Sequence, residues 1–433
     1  MRPNPQTLPH RERATAASLH ARTATARAGA IWLLTATIGL AATAGAIAQP
    51  GNGPERPYPE ATRADPPTAR AQPETARAPR ETARAHRPSP TGAALRPHYS
   101  RPPAQWPRPW LDPGIVAASS EPSTDHHAAD SAARIAAGAR LFFDPALSAD
   151  GTISCATCHA PRTGWTVASR TGRGRLTGRR NPTSLLTVAG NGPHGWAGQS
   201  HSLDERLLAP LTDAAEMGNR SVDQVLAVLR RDPSHAEALR DHRSPDGYHG
   251  QAADVPDAGD RQTLIGLLRE FVLSLDQPTA FDRFVQGDHH ALDDLQIEGL
   301  HLFRTKARCI HCHHGPRLTD GRFHNLGISF YGEPSQDLGR HEHSGRCEDA
   351  GAFRTARLRH VSRTAPYMHN GLFETLPAVI RLYVRGGGEL RARNAAEAAD
   401  PLRTCAARVS PLLKPLPLDD REIDALAAFL ESV

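Results

Sequence analysis

Charge of one sign is the first thing this chain lacks. Its 433 residues carry 51 Lys and Arg against 46 Asp and Glu, a formal net charge of +5. No motif joins stacking aromatics to a basic stripe, so nucleic acid is excluded as a partner. Strand-like alternation is scarce as well, which leaves a mostly α chain with long loops rich in Gly and Pro. Methionine occurs three times, as Met1, Met217 and Met368, and cysteine six times. Four of those six cysteines fall in one five-residue pattern that occurs twice.

The pattern is C-x-x-C-H, in ISCATCHAP at 153–161 and CIHCH at 309–313. Thiols at i and i+3 suit a thioether to each vinyl group of one porphyrin, with the next histidine carried beneath the ring to bind iron. A redox pair needs only C-x-x-C and normally a βαβ setting. A four-thiolate zinc site wants compact spacing, whereas these pairs begin 154 residues apart. The expectation is two covalently bound c-type haems. Cys155, Cys158 and His159 hold one, and Cys309, Cys312 and His313 hold the other. His314 is the rival to His313. The remaining Cys347 and Cys405 either form one disulfide in an oxidising compartment or stay as buried thiols.

Residues 1–48 read as a leader. Residues 1–27 are arginine-bearing with Glu12 as the single acid, residues 28–48 carry no charge, and Ala46-Ile47-Ala48 fits A-x-A cleavage. The apolar stretch of 21 residues also suits an uncleaved membrane anchor. Either way the remainder is expected in the periplasm. Residues 49–120, where TARA recurs at 68, 75 and 82, read as a Pro/Arg/Ala-rich disordered linker. The folded part is expected from near 125, with a first haem domain at 121–290 and a second at 291–433. Helices are expected in DSAARIAAGARLFFD, in SVDQVLAVLRR with Ser221 as N-cap, in RQTLIGLLREFVLSLD as an amphipathic helix, before the second haem motif, and in DDREIDALAAFLESV capped by Asp419 or Asp420.

Five blocks carry a family resemblance. They are LFFDPALSADGTISCATCHAP, RNPTSLL, GWAGQSHSLDERLLAPLTDAAEMG, ARCIHCHHGPRLTDGRFHNLGI and TAPYMHNGLFETLPAVIRLYVRGG. In this order they resemble the diheme cytochrome c peroxidase superfamily over about 135–433, and within it the branch containing the methylamine-utilisation enzyme MauG. The resemblance implies two cytochrome c-like haem domains, hydrogen peroxide as substrate, and a small cytochrome c or cupredoxin as electron donor. Fourteen positions after His369, where the peroxidases have a methionine ligand to the second haem, stands Tyr383, as in MauG-like members; Met368 is its rival. The loop VASRTGRGRLTGRR holds no histidine, which implies an open first haem without reductive activation.

By the same resemblance Glu216 is the distal acid, able to move a proton between the peroxide oxygens. Arg206 stands where the family has glutamine, placed either to stabilise developing charge or to pair with Glu216 and silence it. Trp196 matches the tryptophan between the haems, and Asn181, Thr364 and Pro366 match an inter-haem calcium site. The reading is an exported diheme c-type peroxidase. Its alternatives are a MauG-like oxidase acting on a partner protein and a non-enzymatic carrier with both haems six-coordinate.

Overall fold

The computed structural model describes residues 89–118, 132–186, 188–190, 192–242 and 258–433. The leader and the TARA repeats lie outside the described residues. What is described belongs to one compact unit, built as two helical lobes.

Each lobe is organised by one helix crossing, made close by a glycine. In the first lobe, Ala132–Phe143 crosses Ala258–Leu273 at Gly138, where a Cβ would fall on the Leu267 carbonyl and lie 2.9 Å from the Phe271 Cβ. In the second lobe, Asp294–Arg304 crosses Asp420–Ser432 at Gly299, where a Cβ would fall on the Ala425 carbonyl and lie 2.7 Å from the Phe429 Cβ. The repeated pattern is a small residue that admits the partner backbone and a phenylalanine four residues beyond the contact. Capping boxes start both second-lobe helices, Asp293 with Gln296 and Asp419 with Glu422, so Asp419 rather than Asp420 is the cap. Ser221 caps Val222–Leu229 through the Gln224 N–H. The helix read as amphipathic in RQTLIGLLREFVLSLD buries Leu267 as well as Leu264, Leu268, Phe271 and Val272, because it is the strut on which the first lobe packs.

Part of the stretch read as disordered linker is folded. Gly92–Tyr99 is helical and lies on Asp294–Arg304, and Leu95, Tyr99 and Trp106 enter the second core beside Phe281 and Phe284. The Tyr99 hydroxyl meets His301 Nδ1 at 3.0 Å, and the Arg304 guanidinium sits 5.3 Å from the centre of the Trp106 ring. Three anchors set among prolines and arginines disappear into an average composition, yet each buries a large apolar surface. The helix Ala280–Val285, ahead of the expected boundary at 290, also packs into the second core.

Strand structure is limited, among the described residues, to an antiparallel pair, Phe323–Asn325 with Ala352–Arg354, in register Phe323↔Arg354. Cys347 and Cys405 form a disulfide, which decides between the two readings of that pair. The lobes are tied by Arg180 to Asp337 at 2.7 Å and by the Arg354 N–H to the Trp196 carbonyl at 2.8 Å. Among the described residues no helix is long and apolar enough to cross a membrane.

Gly299→Ala forces a methyl into a closed helix crossing. Such overpacking costs about 1–3 kcal/mol, and thermal unfolding of the purified protein should show a lowered midpoint, with an equal loss for Gly138→Ala.

Candidate active site

A cavity of ≈ 630 Å³ lies between the lobes and is lined by both C-x-x-C-H motifs. Its walls are built twice by one local device. Cys155–Cys158 forms a single helical turn, and the His159 N–H closes on the Cys155 carbonyl at 3.0 Å. The His313 N–H closes on the Cys309 carbonyl at 2.9 Å. Each imidazole then finds a backbone carbonyl, His159 Nδ1 to Trp165 O and His313 Nδ1 to Leu318 O, both at 3.0 Å. Trp165 and Leu318 hold left-handed backbone, with φ of 59° and 51°. A carbonyl only accepts, so Nδ1 carries the proton and Nε2 keeps the lone pair for a metal. Burial pushes His159 down to about 4 and lowers His313 too, which keeps both rings neutral.

The four motif cysteines are unbridged, and burial pushes Cys155 and Cys309 up to about 12. Thiols so protonated do not suit a redox pair, whose nucleophile is the thiolate. Nor do the four sulfurs gather: the one group of His, Cys, Asp and Glu drawn together among the described residues is Cys312, Asp320 and His324. The other histidines around the second motif are occupied by the segment 89–118, which straps the second lobe. His311 Nε2 accepts from the Asp112 N–H at 3.0 Å and His314 Nδ1 from the Ala118 N–H at 3.3 Å. His369 stacks on Phe353 at 3.6 Å, and its Nε2 is buried with no hydrogen-bond partner. Two inward imidazoles, two pairs of thiols and an orphaned ring nitrogen on one cavity are the donor set that two porphyrins would need.

The comparisons with known proteins agree. Residues 132–290 match the family model described as di-haem cytochrome c peroxidase. The chain is 31% identical over 332 residues to the cytochrome-c peroxidase IdrP1 of Pseudomonas sp. (strain SCT), covering 70% of this chain and 81% of that one. The chain belongs to the di-haem cytochrome c peroxidase family. It is also 33% identical over 304 residues to the methylamine utilization protein MauG of Methylorubrum extorquens, covering 69% and 78%. A solved MauG-like protein associated with microbial copper homeostasis superposes with a TM-score of 0.59 at 27% identity, covering 75% of this chain and 94% of that one. The chain is therefore an oxidoreductase of a family with two haem cofactors, which removes the pure-carrier alternative.

The other residues singled out line the same cavity. Arg206 stands on the helix Leu203–Thr212, capped by Ser202, and half-buried Glu216 follows in the next loop. Their closest approach, Arg206 Nη2 to Glu216 Oε1, is 3.9 Å, too long for a hydrogen bond. Burial raises the Glu216 carboxyl while Arg206 pulls it down, and burial wins. Arg206 therefore neighbours the acid without clamping it. The Trp196 indole donates to the Asn181 carbonyl at 2.8 Å, which sets it between a first-lobe loop and the second-lobe strand. Tyr383, on Leu376–Val384, faces the second thiol pair; burial, then Cys312 and Cys309, push its hydroxyl well above the usual phenol. Met368, with φ of 73°, lines the cavity too. Asn181, Thr364 and Pro366 all line the cavity, and the Asn181 N–H donates to the His369 carbonyl at 2.6 Å. The Asn181 amide nitrogen serves the Ser169 and Arg170 carbonyls, and its Oδ1 receives a long 3.4 Å bond from Thr166.

His194 was not singled out from the sequence. It is buried on the cavity wall and pushed down to about 4 by burial and by Arg357, Arg354, Arg206 and Arg317. Its one sequence signal is its place two residues before Trp196. Arg317, Arg354 and Arg357 come from far along the chain, and Arg206 from the next helix.

His159→Gly and His313→Gly should each change the absorption and resonance signals of one haem alone. His311→Gly and His314→Gly should leave both ligand fields as they are.

Proposed function

We propose that the chain is an exported diheme c-type peroxidase that reduces hydrogen peroxide to two waters with two protons and two electrons from a small redox protein. The reading rests on one observation above all: an acid held above its ordinary range and a guanidinium 3.9 Å from it share the cavity wall with a neutral, carbonyl-anchored imidazole. In this proposal Cys155 and Cys158 tether a haem bound by His159, and Cys309 and Cys312 tether one bound by His313. A haem held by His159, when bound, would supply the electrons for breaking the O–O bond. Glu216 takes the proton from one peroxide oxygen and delivers it to the departing one. Arg206 stabilises the negative charge growing on that oxygen. Trp196, an oxidisable indole at the seam, carries single electrons between the lobes. Tyr383 would be a ligand to a haem held by His313, and Asn181, Thr364 and Pro366 would offer oxygen atoms to a calcium ion. The charge-free segment 28–48 directs the chain to the periplasm, cleaved or as an anchor.

Tyr383 favours a second reading, in which the oxidising equivalents pass to a residue of a partner protein, as the likeness to MauG suggests. A hard phenolate favours oxidised iron where a thioether favours reduced iron. Tyr383→Met should raise the reduction potential of the second haem. It should also raise peroxide turnover with reduced cytochrome c, and unchanged or slower turnover favours the second reading.

Glu216→Gln should lower peroxide turnover about 100-fold or more, the usual share of acid–base assistance, with both haems retained. Full activity in that variant overturns the assignment. The base form of Glu216 is lost as pH falls through a value raised above the ordinary carboxyl. Arg206 lowers that value, so Arg206→Leu should move the acid limb of the rate profile to higher pH.

A further inference from the structure

The cavity wall carries more positive charge than its own acids balance. Among the described residues that line it, eight are Arg or Lys and two, Asp213 and Glu216, are acids. Five of the eight are paired with carboxylates outside the lining. Glu342 and Asp337 hold Arg179 and Arg180, Asp112 holds Arg308 and Lys414, and Asp282 holds Arg359.

Arg354 is different. It ends the strand Ala352–Arg354 with 9% of its surface exposed, and its Nε donates to the Gly195 carbonyl at 3.2 Å. No carboxylate among the described residues meets the rest of its fork. Burial lowers the group first and Arg317, a charge of the same sign, lowers it next. A charge taken out of water persists where a group of opposite sign meets it. The fork of Arg354 therefore calls for an anion.

The place is the turn that carries Trp196. The Arg354 N–H donates to the Trp196 carbonyl at 2.8 Å, so backbone and side chain together fix the guanidinium against residues 195–196. His194 precedes them, buried, its N–H closed on the Ser200 carbonyl at 2.8 Å. After burial, the charges that push His194 down are Arg357, Arg354, Arg206 and Arg317. Both lobes thus bring guanidiniums to one turn, and His194, Trp196 and Arg354 all line the cavity. A planar carboxylate matches such a fork by accepting parallel N–H bonds. A haem brings that group with it, as the propionates on one edge of its ring.

We propose that Arg354, at the His194–Trp196 turn, is the seat of a haem propionate carboxylate, so that a charge buried by the protein is completed by its cofactor. The inference rests on haem filling the cavity and not on peroxide being the substrate. Its consequence is electrical. A guanidinium on the propionate offsets negative charge at the ring edge and favours reduced iron; without it, the bare carboxylate favours ferric iron.

The test uses the full chain with both haems attached, verified by mass. Arg354→Leu removes charge and fork, and Arg354→Lys keeps the charge and loses the fork. Redox titration of Arg354→Leu should show one haem biased about tenfold toward ferric iron, about 59 mV at one electron, with a smaller shift in Arg354→Lys. The resonance Raman bending bands of the propionates should move in both variants, so the lysine variant decides the matter even where the leucine variant loses haem. Unmoved propionate bands, or an unmoved potential in Arg354→Leu, overturn the proposal. Inorganic phosphate added to the native protein should move neither reading. A phosphate-induced shift that Arg354→Leu abolishes assigns the seat to a free anion and overturns the proposal as well. Native protein without covalent haem fails the haem reading itself. Full haem content without peroxide turnover fails the peroxidase reading and leaves these measurements intact.

Discussion

A single backbone carbonyl fixes each of the two inward imidazoles, and the rest of the site depends on that. Both carbonyls belong to residues in left-handed backbone, a conformation that bulky side chains rarely adopt. The cores hold them there. The Trp165 ring packs 5.7 Å from Phe142 and from Phe271, and Leu318 is buried in the second core. The chain of cause runs from helix crossing to aromatic cluster, from cluster to carbonyl, and from carbonyl to the nitrogen left for metal.

The seam between the lobes adds what neither lobe has alone. Trp196 gives its indole N–H to one segment and its carbonyl to another from the far half of the chain. Arg180, bonded to the buried carboxylate of Asp337, closes the same seam with a fork of two 2.7 Å hydrogen bonds. Acid–base groups sit on the first-lobe wall, and the candidate phenol ligand on the second. The relative placement of Glu216, Trp196 and Tyr383 is therefore a property of lobe packing.

Local pattern made much of this legible. The C-x-x-C-H pairs, the Ser221 cap, an aspartate cap at 419 or 420 and the crossing helices follow from spacing and periodicity, because each needs only residues within a turn or two. What stayed hidden depends on distance. His194 is lowered first by burial and then by arginines that include Arg317, Arg354 and Arg357, more than a hundred residues away. The Cys347–Cys405 bridge spans 58 positions, and two alternatives stood until the fold brought them together. The 3.9 Å gap between Arg206 and Glu216 is set by how a capped helix meets the next loop, so spacing alone did not separate assistance from silencing.

The strap at 89–118 reaches the second lobe before the first lobe has begun in the chain. Trp106, Tyr99 and Leu95 complete a core whose other walls start near residue 280. Topologically the later lobe encloses the earlier one in sequence, like a parenthesis. No single cut therefore yields two self-sufficient halves. A fragment starting at 291 would bare the groove that Trp106 fills and release His311 and His314 from the amides that hold them. Its two spare imidazoles would then compete with His313 for any metal the fragment met.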